Sequence, residues 1–299
     1  SGSCRHCKHY VSPPEVVADD PHPAILFKAA TRTGDLLYTC TQTEILVWQL
    51  PGFELRHHLS LPAFNDVHHV RPTARGTLLV ANTGLDMVME VSFEGETLRR
   101  WNVLGGEEWG RFSPEADYRR VLTTKPHGSH PNFVFEAEGE VWATRFEQRD
   151  ALCLTDRDRR LEIGVEKPHD GIVQGSEVFF TTVDGHVAIC DLAGGAPEIH
   201  DLQAMTPGER ALGWCRGLWV LDRRTVLVGF SRLRPTRARE NLRWLRHRVG
   251  LRSNPGNRPT RVALYNLAEG RLVEEWTVEQ EGLNVLFSIH PAALEAAGS

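Results

Sequence analysis

Apolar residues in this chain come in short runs such as Leu36-Leu37-Tyr38, Ile45-Leu46-Val47-Trp48, Leu78-Leu79-Val80-Ala81 and Val178-Phe179-Phe180, each bounded by Gly, Asp, Asn or Pro. Brief apolar runs between turn-forming residues predict β-strands. Helical spacing is confined to one short stretch, Leu242, Leu245 and Val249. The clearest unit covers residues 66–103, with strands expected at 66–70, 77–82, 87–93 and 97–103 and turns at 72–76, 83–86 and 94–96. That is one four-stranded antiparallel meander. The same order recurs from residue 131 (141–146, 151–155, 161–165) and from residue 171 (178–182, 186–192, 198–202). Two further copies lie at 24–61 (36–41, 44–50, 54–61) and from Cys215 (225–230, 261–267, 271–278).

A recurring four-strand meander is what a propeller blade requires, because each twisted sheet buries both faces against its neighbours. The expected fold is therefore all-β, a β-propeller of five blades over residues 24–299 behind an N-terminal extension, 1–23. Residues 284–289 remain over, either as a strand that closes the ring or as the remnant of a sixth blade. A β-sandwich or a pair of barrels is the competing architecture, but neither has a four-strand period.

Blade topology sends the connection into the first strand and the connection between the second and third strands to the same face. Residues 65–69, 127–132, 168–171 and 214–217 lead into first strands, and the chemically capable side chains gather there. When the repeats are registered on their second strands, His130, His169 and Cys215 fall at similar places, with His68 or His69 slightly further in. Imidazoles from several blades, with His186, make a set suited to a divalent metal such as zinc or iron. Asp66 and Asp170 are the candidate acid/base groups, and Cys215 beside Arg216 is a candidate nucleophile. Asn65, Asn82, Asn132, Arg145 and Arg216 are candidate substrate-binding residues. For each histidine alone, a hydrogen-bonded turn residue is the plainer reading, and for Cys215 a small core residue.

Between Ser231 and Arg261 the chain carries ten arginines and one acid, Glu240. Such an insertion, residues 231–261 with Arg234 and Arg237, offers guanidinium forks to an anionic ligand, as a lid. The alternative is a solvated amphipathic segment with no ligand.

Composition narrows the classes. A formal charge of -5 argues against a nucleic-acid partner, and no apolar run approaches the length needed to cross a membrane. With no charged-then-apolar leader, the expected location is the cytoplasm. Four of the six cysteines, Cys40, Cys153, Cys190 and Cys215, sit in strand-like runs and are expected to be buried reduced thiols. Cys4 and Cys7, with His6 and His9, could hold zinc or cycle as a redox pair, although a lone CxxC is a weak signal.

The order Asp66-Val67-His68, Leu79-Val80-Ala81-Asn82-Thr83, His130-Pro131-Asn132, Pro168-His169, Arg216-Gly217-Leu218, Val228-Gly229-Phe230-Ser231 and Phe287-Ser288-Ile289 resembles an uncharacterised bacterial β-propeller family. The resemblance runs from Asp66 onward and implies the fold and the functional face, not a substrate. Phe64-Asn65-Asp66-Val67 is more loosely similar to the gluconolactonase and senescence-marker propellers, which use Glu, Asn and Asp around a divalent metal. The abundance of histidine departs from them. The expected function is a metal-dependent hydrolase or lyase acting on a small or medium anionic substrate. The alternatives are a non-catalytic propeller that binds a peptide, glycan or protein, and a histidine-ligated iron oxygenase.

Overall fold

The computed structural model describes residues 7–20, 26–208, 211–233, 258–279 and 282–292. Its strands form five four-stranded antiparallel sheets, each made of four strands consecutive in sequence. The first sheet holds β1 (Thr31–Thr33), β2 (Leu36–Cys40), β3 (Ile45–Gln49) and β4 (Glu54–Leu59). The second holds β5 (Val67–Pro72), β6 (Leu78–Asn82), β7 (Met87–Val91) and β8 (Thr97–Asn102). The third holds β9 (Val134–Ala137), β10 (Glu140–Arg145), β11 (Asp150–Cys153) and β12 (Arg160–Glu162). The fourth holds β13 (Pro168–Gln174), β14 (Glu177–Thr182), β15 (His186–Asp191) and β16 (Glu198–Asp201). The fifth holds β17 (Trp214–Asp222), β18 (Thr225–Ser231), β19 (Arg261–Asn266) and β20 (Arg271–Thr277). Among the described residues the only helical turns are short 3₁₀ pieces, and the fold is the five-bladed all-β propeller type. No described helix is long and apolar enough to cross a membrane.

The sequence pattern follows from burial. Every residue of β6 and β7 is buried, whereas the fourth strands β4 and β20 are largely exposed and β8 has no buried residue. A strand covered on both faces reads as a continuous apolar run, and a strand wet on one face does not. Residues 284–289 form neither a closing strand nor a sixth sheet. They lie against β17 and β18, where Ser231 Oγ accepts from the Leu286 N–H at 2.9 Å and donates to its carbonyl at 3.2 Å. Gly217, at φ 50, makes this approach possible, since a Cβ there would meet Ile289 at 3.3 Å.

The chain divides into two compact units. In the unit of residues 7–160, Tyr38, Ile45, Val67, Val80 and Met89 belong to one core, and Leu79, Val88, Val134, Val141 and Leu152 to another. In the unit of residues 161–289, Phe179, Ile189, Cys215, Val228, Phe230 and Tyr265 pack together. Cys40, Cys153, Cys190 and Cys215 are buried, and burial pushes the Cys40 and Cys190 thiols above the ordinary range. Cys7 is exposed, and Cys4 lies outside the described residues.

The described part of the N-terminal extension is built into the first unit. Glu44, with none of its surface exposed, accepts from Tyr10 Oη at 2.6 Å, from Ser12 Oγ, from Thr41 Oγ1 at 2.9 Å and from His58 Nε2 at 3.0 Å. Arg120 adds bonds to the Pro14 and Val17 carbonyls, both at 2.7 Å. Burial and the Glu44 charge together push the Tyr10 hydroxyl well above its usual range. Glu44→Ala orphans four donors and should cost roughly 3 kcal/mol in urea denaturation. A loss below about 0.5 kcal/mol, the scale of an ordinary surface change, contradicts the clamp.

Candidate functional site

The group that brings the most chemistry together lies in the first unit, where a carboxylate oxygen of Asp66 and ring nitrogens of His127 and His130 are all within 4.8 Å of one another. Asp66 precedes β5 in the left-handed region, φ 46. The pairing of β5 with β6 shifts register between Val67 and His69, and a bulge of this kind re-aims the extra residue, here His68. His68 Nδ1 lies 2.8 Å from the Asp66 carbonyl, which fixes the ring proton on Nδ1 and leaves Nε2 as the basic nitrogen. Asp66 Oδ1 is also 3.4 Å from Lys28 Nζ. The His127 and His130 Nδ1 atoms stand 2.6 Å apart, and the His130 ring is 4.9 Å from His68 and 5.0 Å from Phe146, centroid to centroid.

Burial and charge set the protonation states. Burial lowers His127 and holds His130 well below the usual imidazole range, so both rings are neutral at neutral pH. Burial alone would raise Asp66, but the neighbouring charges, His68 and Lys28 first, outweigh it and keep the carboxyl below the ordinary carboxylate range. A charged carboxylate between neutral imidazoles is the state in which these groups bind a metal.

The cluster stands on a folded loop. Asp86 accepts from the backbone N–H groups of Gly128 at 2.7 Å, Ser129 at 2.9 Å and His130 at 2.8 Å, and from Arg111 Nη1 at 2.7 Å. Asn65 donates from its side chain to the Tyr118 and Val121 carbonyls at 2.8 and 2.7 Å, and its backbone N–H reaches Asn82 Oδ1 at 2.9 Å. A Cβ on Gly84 would fall 2.2 Å from Asn65 Oδ1, so this packing requires glycine there. Asp66 lines a small cleft with Val17, Ala18, Gln42, Arg119, Val121 and Leu122, which His127 and His130 do not line.

Several expected residues have other work. His69 Nδ1 accepts from the Val134 N–H at 3.3 Å, and its Nε2 lies 3.0 Å from Thr31 Oγ1, whose own proton goes to the Val70 carbonyl. Burial lowers this ring to about 3, so His69 is a neutral brace with both nitrogens used inside the fold. The Asn65 and Asn82 side-chain amides donate to backbone carbonyls, and the Asn65 oxygen accepts from Thr124 Oγ1 at 3.3 Å. Arg145 is forked onto buried Asp150 at 2.8 and 2.5 Å. Asn132 is buried ahead of β9. Arg234 and Arg237, and with them most of the expected lid, lie outside the described residues.

His169, Asp170, His186, Arg216 and Cys215 belong to the second unit. Cys215 is a core residue there, with none of its surface exposed, which removes it from the candidate nucleophiles. His186 Nδ1 lies 3.0 Å from Asp184 Oδ1 and pins the start of β15. The Arg216 guanidinium sits 4.7 Å from the Phe287 ring and 5.6 Å from Trp214, and His169 is 6.2 Å from Phe287. The expected equivalence of His130, His169 and Cys215 is also revised. Register shifts at Val67/His69, Pro168/Asp170 and Arg216/Leu218 make His68, His169 and Gly217 the corresponding bulged residues, while His130 sits in a loop before β9 at φ 60.

Sequence reasoning left out His127, Lys28 and Asp86. The available signal for His127 was its spacing, His127-Gly128-Ser129-His130, which a search for blade-to-blade equivalents passes over.

No protein-family model matches the chain, and no curated protein matches it in sequence. Solved structures are similar to it in fold. A protein of unknown function from Bacteroides caccae has a TM-score of 0.57 and 11% identity, over 87% of this chain and 84% of that one. A catalytically inactive virginiamycin B lyase from Staphylococcus aureus, solved with quinupristin, has a TM-score of 0.50 and 13% identity, over 86% and 72%. A nidogen/laminin complex gives 0.56 and 10%, over 89% and 84%. At these identities the likeness shows a shared fold.

Asp170, on β13, supplies a pH test. Burial raises its carboxyl to about 7, against the backbone N–H bonds from Gly171, at 3.0 Å, and Leu218. The fold therefore favours the protonated form. Its contribution is whole below the unfolded value near 3.9 and is lost as pH rises through about 7. Asp170→Asn keeps the acceptor and removes the charge, so its stability relative to wild type should rise by about 2–3 kcal/mol between pH 5 and pH 8 in urea titrations. A difference that does not change with pH contradicts the raised value.

Proposed function

We propose that this chain is a metal-dependent enzyme of the hydrolase or lyase type, holding a divalent ion on Asp66, His127 and His130 and acting on a small or medium anionic substrate. The observation that carries the reading is the approach of three half-buried donor groups to within 4.8 Å of one another, one of which, Asp66, lines a cleft. Two neutral imidazoles and one carboxylate form a donor set that suits zinc or iron. This set replaces the expected ligands His68, His69, His130, His169 and His186, of which it retains His130.

A bound divalent ion would supply Lewis-acid polarisation of a substrate oxygen. The protein's own groups carry the rest. His68, whose Nδ1 proton is held by the Asp66 carbonyl, stands beside His130 and is the side chain placed to move a proton at the site. Lys28 places a cation 3.4 Å from Asp66, where it offsets the carboxylate and favours an anionic substrate. Hydrolysis and elimination both need this pairing of a polarised oxygen with a nearby base. The lyase among the fold neighbours is a precedent for such chemistry on a propeller, and the reading rests on the donor set.

The test is metal content after dialysis against zinc, together with thermal unfolding. Wild type should retain one ion and gain about 5 °C in Tm at a hundredfold excess over Kd. Asp66→Asn, His127→Ala and His130→Ala should each lose the ion. His69→Ala should keep it while losing roughly 2 kcal/mol of stability, because it orphans the Val134 N–H and leaves a gap where the buried ring stood. A wild type that neither retains metal nor gains stability contradicts the proposal and turns the reading to a non-catalytic binding propeller.

A further inference from the structure

Asp86 lies outside the donor set, yet its carboxylate takes three successive backbone N–H groups from the loop that carries both histidines, and Arg111 closes its remaining side. Three adjacent amides converge on one anion only when the backbone curls into a nest. The curl is visible in His130, a non-glycine residue at φ 60, and in Asp86 itself at φ 50. Left-handed backbone is costly for an ordinary residue, so it persists where surrounding bonds impose it. Gly128 stands at the tightest point, where a Cβ would meet Leu104 at 2.6 Å and Asp86 Oδ2 at 3.4 Å. Asp86 is 2% exposed, so water does not compete for its oxygens.

We infer that Asp86 is the positioning residue of the site: its carboxylate holds the loop of residues 127–130 in the curl that turns His127 and His130 toward each other and toward Asp66. The inference rests on the metal reading for its consequence, and on the backbone bonds for its geometry. Asp86 itself touches neither substrate nor ion. With the carboxylate gone, three amides lose their acceptor, His130 relaxes out of the left-handed region, and the two imidazoles separate.

The experiment uses the full chain with Co²⁺ alone as the probe, in wild type, Asp86→Ala and Asp86→Asn. Three readouts are taken: the Co²⁺ absorption titration, amide exchange at Gly128, Ser129 and His130, and the ¹⁵N imidazole signals of His127 and His130. Asp86→Ala should bind Co²⁺ about 10–100-fold more weakly, the loss typical of groups that orient ligands. Its three amides should exchange faster, and the mutual His127–His130 signal should disappear. Asp86→Asn keeps one acceptor oxygen and should fall between the two, and it carries the test if the alanine variant does not fold. Unchanged Co²⁺ affinity with slow amides in both variants overturns the role of Asp86. If wild type binds no Co²⁺, the metal reading fails by itself, and the amide and imidazole signals still decide the positioning role, which unchanged signals in the variants would overturn.

Discussion

A charged group buried between strands is costly without a partner, and the arrangement of chemistry in this protein follows from that constraint. The inner strands β6, β7 and β14 are mostly apolar packing, and most ionisable side chains fall at strand starts and in loops, with Glu90 of β7 as a buried exception held by Thr77 and Arg75. Those that are buried there are compensated one by one. Glu44 gathers four donors, Asp86 gathers four, and Asp150 takes the fork of Arg145. Asp170 has a raised carboxyl pKa because two backbone donors do not balance its burial.

Asp66 is the exception that marks the site. It keeps its charge under burial because His68 and Lys28 stand beside it, while burial holds the rings of His127 and His130 neutral. A structural carboxylate, like that of Glu44, has its lone pairs covered by hydroxyl and ring donors. Asp66 has instead one ammonium at 3.4 Å and a cluster of nitrogens within reach. The difference between a clamp and the proposed ligand lies in that geometry.

The blades were legible because burial on both faces writes itself as continuous apolar runs, and the observed β5 to β8 lie within residues 66–103, as the turns required. Asp66 and His130 were legible as polar residues leading into first strands. Their partners were not. Recognition of His127 needed the loop to curl, Lys28 comes from the stretch ahead of β1, and Asp86 looks like any turn aspartate until its three amide bonds are seen. His69 misled because its neighbour His68 shares the motif. Which of two adjacent histidines faces the cluster depends on a β-bulge, and a bulge shifts the side chains by one residue without leaving a mark in the hydrophobic pattern. Arg145 misled in the same way, since a guanidinium at a strand end serves an anionic ligand or a buried aspartate equally well until Asp150 is placed.

The most direct measurement is diffraction from crystals grown with zinc, with anomalous data collected at the zinc edge. The account predicts a single anomalous peak bonded to an Asp66 oxygen and to one nitrogen each of His127 and His130 at about 2.0–2.2 Å, with the two Nδ1 atoms no longer 2.6 Å apart. An empty cluster with that contact intact, or a peak held by other residues, would contradict it.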